Sequence, residues 1–409
     1  MRAVAIILAL STTLETILAV PSVGKSLHSY NHAPLEPRGV RPIKQVITNR
    51  NDDPSSQSYT LRARVGTPPQ DLTLALELSQ SDTWFTTGCP NEDPSCKDLY
   101  FKTKQSKTLS RALGTAKVSY GDPMTIPPSN DPIDLAIHQD VISIAGVTIP
   151  RQRFGLSSPD VGPADAAGLI GLGPNLKLGY RTGKPYKTVL DSLAARGAIA
   201  SRTFTLHTGS YDDDHGVIIW GGANTGGFRG RLVKRPLVKD ELGTFGPSIA
   251  LTGLTQKSSE GKHSYKIQKS DSIFLLDTGN QYLRLRHSFV DPLLKDMGAV
   301  NDGNDAYFVP CSKRQEPGSW DFTFGDITIK VSYREIITEI KDDSGMCWVG
   351  VLVTWKGQLV LGLPFIRSAY LAFDYDNKVV ALAQPAKCPE HLVVFGKGRN
   401  AIPSDLYGC

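Results

Sequence analysis

Asp277 closes the run Ser272-Ile273-Phe274-Leu275-Leu276-Asp277-Thr278-Gly279-Asn280, and its setting suggests chemistry more strongly than any other in the chain. An apolar run ending in an acid, a hydroxyl and a glycine describes a buried strand that delivers a carboxylate to a tight turn. Gly279 lets another backbone come close. Packing alone gives no reason for an acid there. At average residue usage an Asp-Thr-Gly triplet arises by chance in roughly one chain in ten of this length, so its weight rests on its surroundings. Those surroundings are echoed far upstream. Leu72-Thr73-Leu74-Ala75-Leu76-Glu77-Leu78-Ser79-Gln80-Ser81-Asp82-Thr83-Trp84 is a second β-prone apolar stretch that ends in an acid, Glu77. Two such stretches read as halves of an internal duplication. Two carboxylates brought together cannot both ionise, so one can donate a proton while the other accepts one.

Other elements must carry these turns. Alternation at Tyr59-Leu61-Ala63-Val65 predicts a strand, turned by Gly66-Thr67-Pro68-Pro69. Lys117-Val118-Ser119-Tyr120-Gly121-Asp122 reads as a hairpin tip. Ala166-Ala167-Gly168-Leu169-Ile170-Gly171-Leu172-Gly173 reads as a buried strand whose glycines permit a close backbone crossing, and Gln358-Leu359-Val360-Leu361-Gly362 mirrors it in the second half. The clearest helix runs over Lys187–Gly197 and stops at its glycine. Gly216-Val217-Ile218-Ile219-Trp220-Gly221-Gly222-Ala223-Asn224 is a further buried strand, and Tyr370 to Asn377 forms a last hairpin. The order of acid turn first and apolar-glycine strand later recurs in each half, which implies two similar β-lobes facing a cleft.

With 409 residues the chain can build two or three domains' worth of core, and 38 Gly and 27 Pro with few helix-period patterns indicate mostly β-sheet. The formal charge of +5 is spread without a long basic run, which argues against nucleic acid or a membrane surface as partner. Met1-Arg2 followed by the apolar Ala3 to Leu10 resembles a secretory signal with a small-residue cut after Ala19; that run is too short to span a bilayer, so a secreted or secretory-lumen protein without a membrane anchor is expected. Residues 20–56 are rich in Pro, His, Ser, Asn and charge and read as a leader or prosegment. Six cysteines on such a route suggest up to three disulfides. No two Cys or His fall at zinc-ligand spacing, so no metal is expected, nor any cofactor. There is no Gly-x-Ser-x-Gly elbow, His-Glu-x-x-His pair or phosphate loop.

Val65-Gly66-Thr67-Pro68-Pro69-Gln70, Trp84, Asp277-Thr278-Gly279 and Leu361-Gly362-Leu363-Pro364-Phe365-Ile366-Arg367 together, in order and spacing, resemble the pepsin-like aspartic proteases over roughly residues 57 to 385. The resemblance implies an all-β, bilobal fold: two six-stranded-barrel-type lobes, a central cleft and a few short helices. It implies an N-terminal lobe over 57–224, a C-terminal lobe over 225–388 and a tail over 389–409, in a monomer that holds a peptide or protein in its cleft. Asp277 and Glu77 take the catalytic positions. Tyr120 and Gly121 match the flap, with Tyr120 expected to hydrogen-bond Trp84, and Thr278 and Gly279 support the second acid. Cys89 with Cys96 and Cys311 with Cys347 are the implied disulfides, leaving Cys388 and Cys409 as a tail-pinning pair or as two free thiols.

The first turn departs from the family pattern at four adjacent positions, Glu77-Leu78-Ser79-Gln80 standing where Asp-Thr-Gly-Ser is expected. Glu77 carries an extra methylene, Leu78 lacks the threonine hydroxyl, Ser79 adds a Cβ, and Gln80 replaces a supporting hydroxyl, as Asn280 does in the second turn. Three readings follow. One is a secreted homologue whose cleft binds an extended peptide or other ligand with weak or absent proteolysis. Another is an active aspartic-type endopeptidase using a Glu77/Asp277 dyad and a bound water. The third is a cleft turned to acid–base catalysis on a small molecule.

Overall fold

Leu72, Leu74 and Leu76 alternate along the strand Gln70–Glu77 and are all buried, which fixes the strand's inner face and leaves Glu77 as its last residue. Each such leucine removed from water contributes about 1.5–3 kcal/mol. The computed structural model describes residues 40–50, 58–88, 100–120, 132–159, 161, 163, 166–174, 186–240, 243 and 245–409. The chain divides into Met1–Pro37 and Arg38–Cys409, and every described residue lies in the second unit. The expected signal segment, most of the leader, Gly121, Cys89 and Cys96 lie outside the described residues.

The same crossing is built twice. Gln70–Glu77 pairs antiparallel with Ser58–Val65 and parallel with Gly168–Gly171 (Ala75 opposite Leu169, Glu77 opposite Gly171). Beyond the acid the chain returns as Trp84–Phe85 on the other side of Gly168–Gly171, antiparallel to it. In the second half, Ile273–Leu276 runs antiparallel to Phe245–Ala250 and parallel to Leu359–Leu361, and the returning strand Leu283–Arg286 meets Leu359–Leu361 antiparallel at Arg284 opposite Val360. The acid turn therefore sits at the fork between two strands that flank a third. Glycine is obligatory where that third strand passes under the fork. A Cβ on Gly171 would lie 2.2 Å from the backbone of Ser81, and one on Gly362 would lie 2.1 Å from the carbonyl oxygen of Tyr282.

Among the described residues a 13-stranded sheet runs through the first lobe and on into strands from the chain's second half, including Phe228–Pro236, Tyr370–Asp374 and Val379–Pro385. Ile43–Arg50, read from sequence as part of the leader, is a strand of this sheet. It pairs with His215–Trp220 on one side and Ser58–Val65 on the other. Its pattern escapes a periodicity search because Lys44, Gln45 and Asn49 stand among its few apolar residues.

The second lobe adds a 6-stranded sheet holding the Asp277 fork and two 4-stranded sheets. Cys311–Cys347 ties the loop before Ser319–Phe324 to the strand Cys347–Val349, and Cys388–Cys409 holds the tail. Closures of these lengths each contribute roughly 3–4 kcal/mol in a chain-entropy account. Leu392–Val394 of the tail also pairs with Gly222–Asn224. The helix Val189–Ala195 starts at a reciprocal cap: the Asp191 amide donates to Thr188 Oγ1 (3.2 Å) and the Thr188 amide donates to Asp191 Oδ2 (2.9 Å).

Candidate active site

The two forks meet at their acid turns. Thr278 reaches across to the first turn, donating its hydroxyl to the carbonyl of Leu76 (2.7 Å) and accepting from the amide of Leu78 (3.0 Å). Leu78 has no hydroxyl with which to return the contact, so the lock between the turns is one-sided. Its side chain is fully buried instead. The backbone of each turn is also tied to its crossing strand, through Leu172 N to Glu77 O (2.8 Å) and Asp277 N to Leu361 O (3.2 Å).

Each carboxylate is held by the amide two residues on. Gly279 N donates to Asp277 Oδ1 (2.8 Å), and Ser79 N donates to Glu77 Oε1 (3.0 Å). The outer supports differ. Asn280 Nδ2 donates to Asp277 Oδ2 (3.2 Å), but Gln80 does not serve Glu77 in the same way: its amide donates to the carbonyl of Ser119 (3.1 Å), at the base of the Tyr120 hairpin. The hydroxyl that serves Glu77 is that of Ser79, at 2.6 Å from Oε1. Sequence reasoning counted Ser79 as an obstruction, yet its position two residues after the acid, matching Gly279 after Asp277, marks the donor.

The two carboxyls lie beside one another over Gly279 and interact directly. Both are buried, at 5% and 8% exposure. Burial, then the charge of Asp277, pushes the Glu77 carboxyl up to about 8, against the opposing bonds from Ser79. Burial also raises Asp277, opposed by its bonds from Asn280 and Gly279, by its interaction with Glu77 and by the charge of Arg284. The extra methylene of Glu77 carries Oε2 over the opposite turn, where it would lie 2.7 Å from a Cβ placed on Gly279. The arrangement offers one proton donor and one acceptor side by side, shielded from water.

Trp84 Nε1 donates to the hydroxyl of Tyr120, and the rings lie 6.2 Å apart. Burial and the nearby Glu77 raise the Tyr120 phenol well above its ordinary value. Behind them Trp84, Ala116, Val118, Leu135, Ile137, Leu169 and Tyr186 form an apolar cluster. Tyr186, which the sequence reading did not single out, anchors the segment after the first turn by donating to Ser81 O (2.5 Å) and Asp82 Oδ1 (3.2 Å).

The family model described as eukaryotic aspartyl protease matches residues 58–385. The chain is 26% identical over 393 residues to a probable aspartic-type endopeptidase opsB of Aspergillus oryzae, covering 89% of this chain and 76% of the relative. It is 24% identical over 426 residues to pepsin A of Suncus murinus, covering 94% and 100%. Its fold resembles that of the aspartic proteinase from Irpex lacteus, with a TM-score of 0.66 at 19% identity over 85% of this chain and 100% of that one. The paired crossings, the acid turn on each fork and the match over 58–385 lead to one conclusion: this chain belongs to the eukaryotic aspartyl protease family.

Proposed function

We propose that the chain binds an extended peptide between its lobes and hydrolyses it slowly at acidic pH, with Glu77 and Asp277 as an unlike catalytic pair. The carrying observation is the juxtaposition of the two buried carboxyls over Gly279, at turns tied together by Thr278. In this reading Asp277 takes a proton from an attacking water while Glu77 gives its proton to the carbonyl oxygen. Collapse of the resulting diol returns a proton to the departing amide nitrogen. Tyr120 would cover the peptide, with Trp84 steadying the tyrosine. Slowness follows from the position of Glu77 Oε2 over Gly279 and from the one-sided lock at Leu78. A misplacement of about 1 Å costs on the order of a hundredfold in rate.

The same position of Oε2 favours a second reading, a cleft that binds peptide without cleaving it. Digestion of an unfolded protein at acidic pH separates the two. The first predicts turnover that Asp277→Asn abolishes and that Glu77→Asp with Leu78→Thr, Ser79→Gly and Gln80→Ser raises by roughly a hundredfold. A wild-type chain that binds a statine-type mimic yet yields no more product than Asp277→Asn supports the second reading.

We further propose entry into the secretory route, a reading supported by the signal-like start and by two disulfides. A removed leader would end before Ile43, since Ile43–Arg50 bridges two strands of the main sheet. Among the described residues no helix is long and apolar enough to cross a membrane.

A further inference from the structure

Outside the acid pair, a group of cations surrounds a cavity of about 550 Å³ between the strand Val147–Leu156 and the helix Val189–Ala195. Arg151, Arg153, Lys187 and Arg196 line it, and among the described residues no acid does. Two described acids on the neighbouring elements are engaged elsewhere. Asp140 accepts from Ser106, Thr108 and the Val141 amide, and Asp191 accepts from Thr188 and Arg202. No described carboxylate pairs with any of the four cations. Four like charges around one concavity repel one another, and a counter-charge bound inside it relieves that repulsion beyond what water and salt screen.

The backbone is shaped to produce this arrangement. In the pairing of Ile133–Ile144 with Val147–Leu156, Asp140 opposes Gln152 and Ile142 opposes Ile149, so Pro150 and Arg151 together face the single residue Val141. This is a β-bulge, a device that re-aims a side chain. Arg151 pays for it with φ +54°, a conformation that a residue with a Cβ rarely adopts. Below it, Gln152 is almost fully buried and knits strand to helix, donating to Lys187 O (2.8 Å) and accepting from the Ser192 hydroxyl (2.6 Å). The floor is therefore rigid, and its walls carry the charge.

We propose that this cavity is a binding site for a compact oxyanion carrying two or more negative charges on phosphate or sulfate groups. Three guanidinium groups supply paired donors suited to such oxygens, and Lys187 adds a point charge. The site stands whether or not the acid pair turns over peptide. Tyr186 lines the same cavity and holds Ser81 and Asp82, so the site adjoins the segment that follows the first acid turn.

Calorimetric titration of the full chain with inorganic pyrophosphate, against chloride at matched ionic strength, tests the proposal. One saturable site is expected, weakened roughly tenfold or more by Arg151→Gly and likewise by Arg196→Gln. Glycine adopts positive φ freely, so Arg151→Gly removes the charge without straining the fold. Lys117→Gln, whose lysine pairs with Asp134 outside the cavity, should leave binding unchanged. Absence of saturable binding would overturn the proposal, as would wild-type affinity retained in both Arg151→Gly and Arg196→Gln. A long sulfated polymer that binds wild type and both variants alike, with pyrophosphate inert, would overturn it too by assigning the affinity to overall charge.

Discussion

The longer acid and the glycine opposite it form a matched set. Glu77 Oε2 occupies the space that any side chain at position 279 would need, at 2.7 Å from an ideal Cβ there. Gly279→Ala should therefore displace the Glu77 carboxyl and separate it from Asp277. Shortening the acid in the same chain, as Gly279→Ala with Glu77→Asp, should restore part of what the single change removes, whether read as peptide turnover or as affinity for a statine-type mimic. A double variant no better than Gly279→Ala alone would show that the two residues do not compete for that space. Both acids were legible in the sequence because each ends an apolar strand. Asn280 was legible as the outer support of Asp277, whereas the partner of Glu77 was not, since a side chain's reach is decided by the turn: Gln80 extends to Ser119 and leaves Glu77 to Ser79.

At the scale of elements, each acid is aimed by a fork of two strands over a third, and the fork closes only because glycine lies beneath it. Gly362→Ala would press a methyl against the Tyr282 and Asn280 carbonyls, at 2.1 and 2.4 Å. Opening the fork to admit it should cost about 3 kcal/mol or more in urea unfolding. Gly230→Ala meets open space at φ +72° and should cost only about 1–2 kcal/mol, the penalty of a left-handed residue. The forks were legible in outline, through the glycines that bracket Leu169-Ile170 and follow Leu361. The strand Ile43–Arg50 was not, because its place is set by its two neighbours: Ile47 and Asn49 are buried there while Val46 lies exposed.

At the scale of the molecule, the acid pair makes stability depend on pH. Glu77 binds its proton more tightly in the folded chain than in the unfolded one, its carboxyl rising from 4.5 to about 8. Between those values the native state holds the extra proton, so stability is fully present below about pH 4.5 and falls as pH rises through 8. Asp277, also raised by burial, adds a change of the same sign. Denaturant midpoints between pH 4 and 9 should fall across this window in the wild type and flatten in Glu77→Gln. A midpoint that rises with pH there, or an unchanged slope in Glu77→Gln, would contradict the assignment of the proton. The two-lobed duplication was legible from the order of its motifs. The joining of halves into one 13-stranded sheet was not, since no local pattern marks which distant strands will pair.

The account depends on Glu77 and Asp277 sharing a proton, and the most direct test follows the Glu77 side-chain carbon by NMR as pH is raised, in wild type and in Asp277→Asn. The shared-proton arrangement predicts that Glu77 titrates far above an ordinary glutamate in the wild type and moves down when the neighbouring charge is removed, with burial holding it partly raised. A Glu77 carboxyl that titrates near 4.5 in both chains would contradict it.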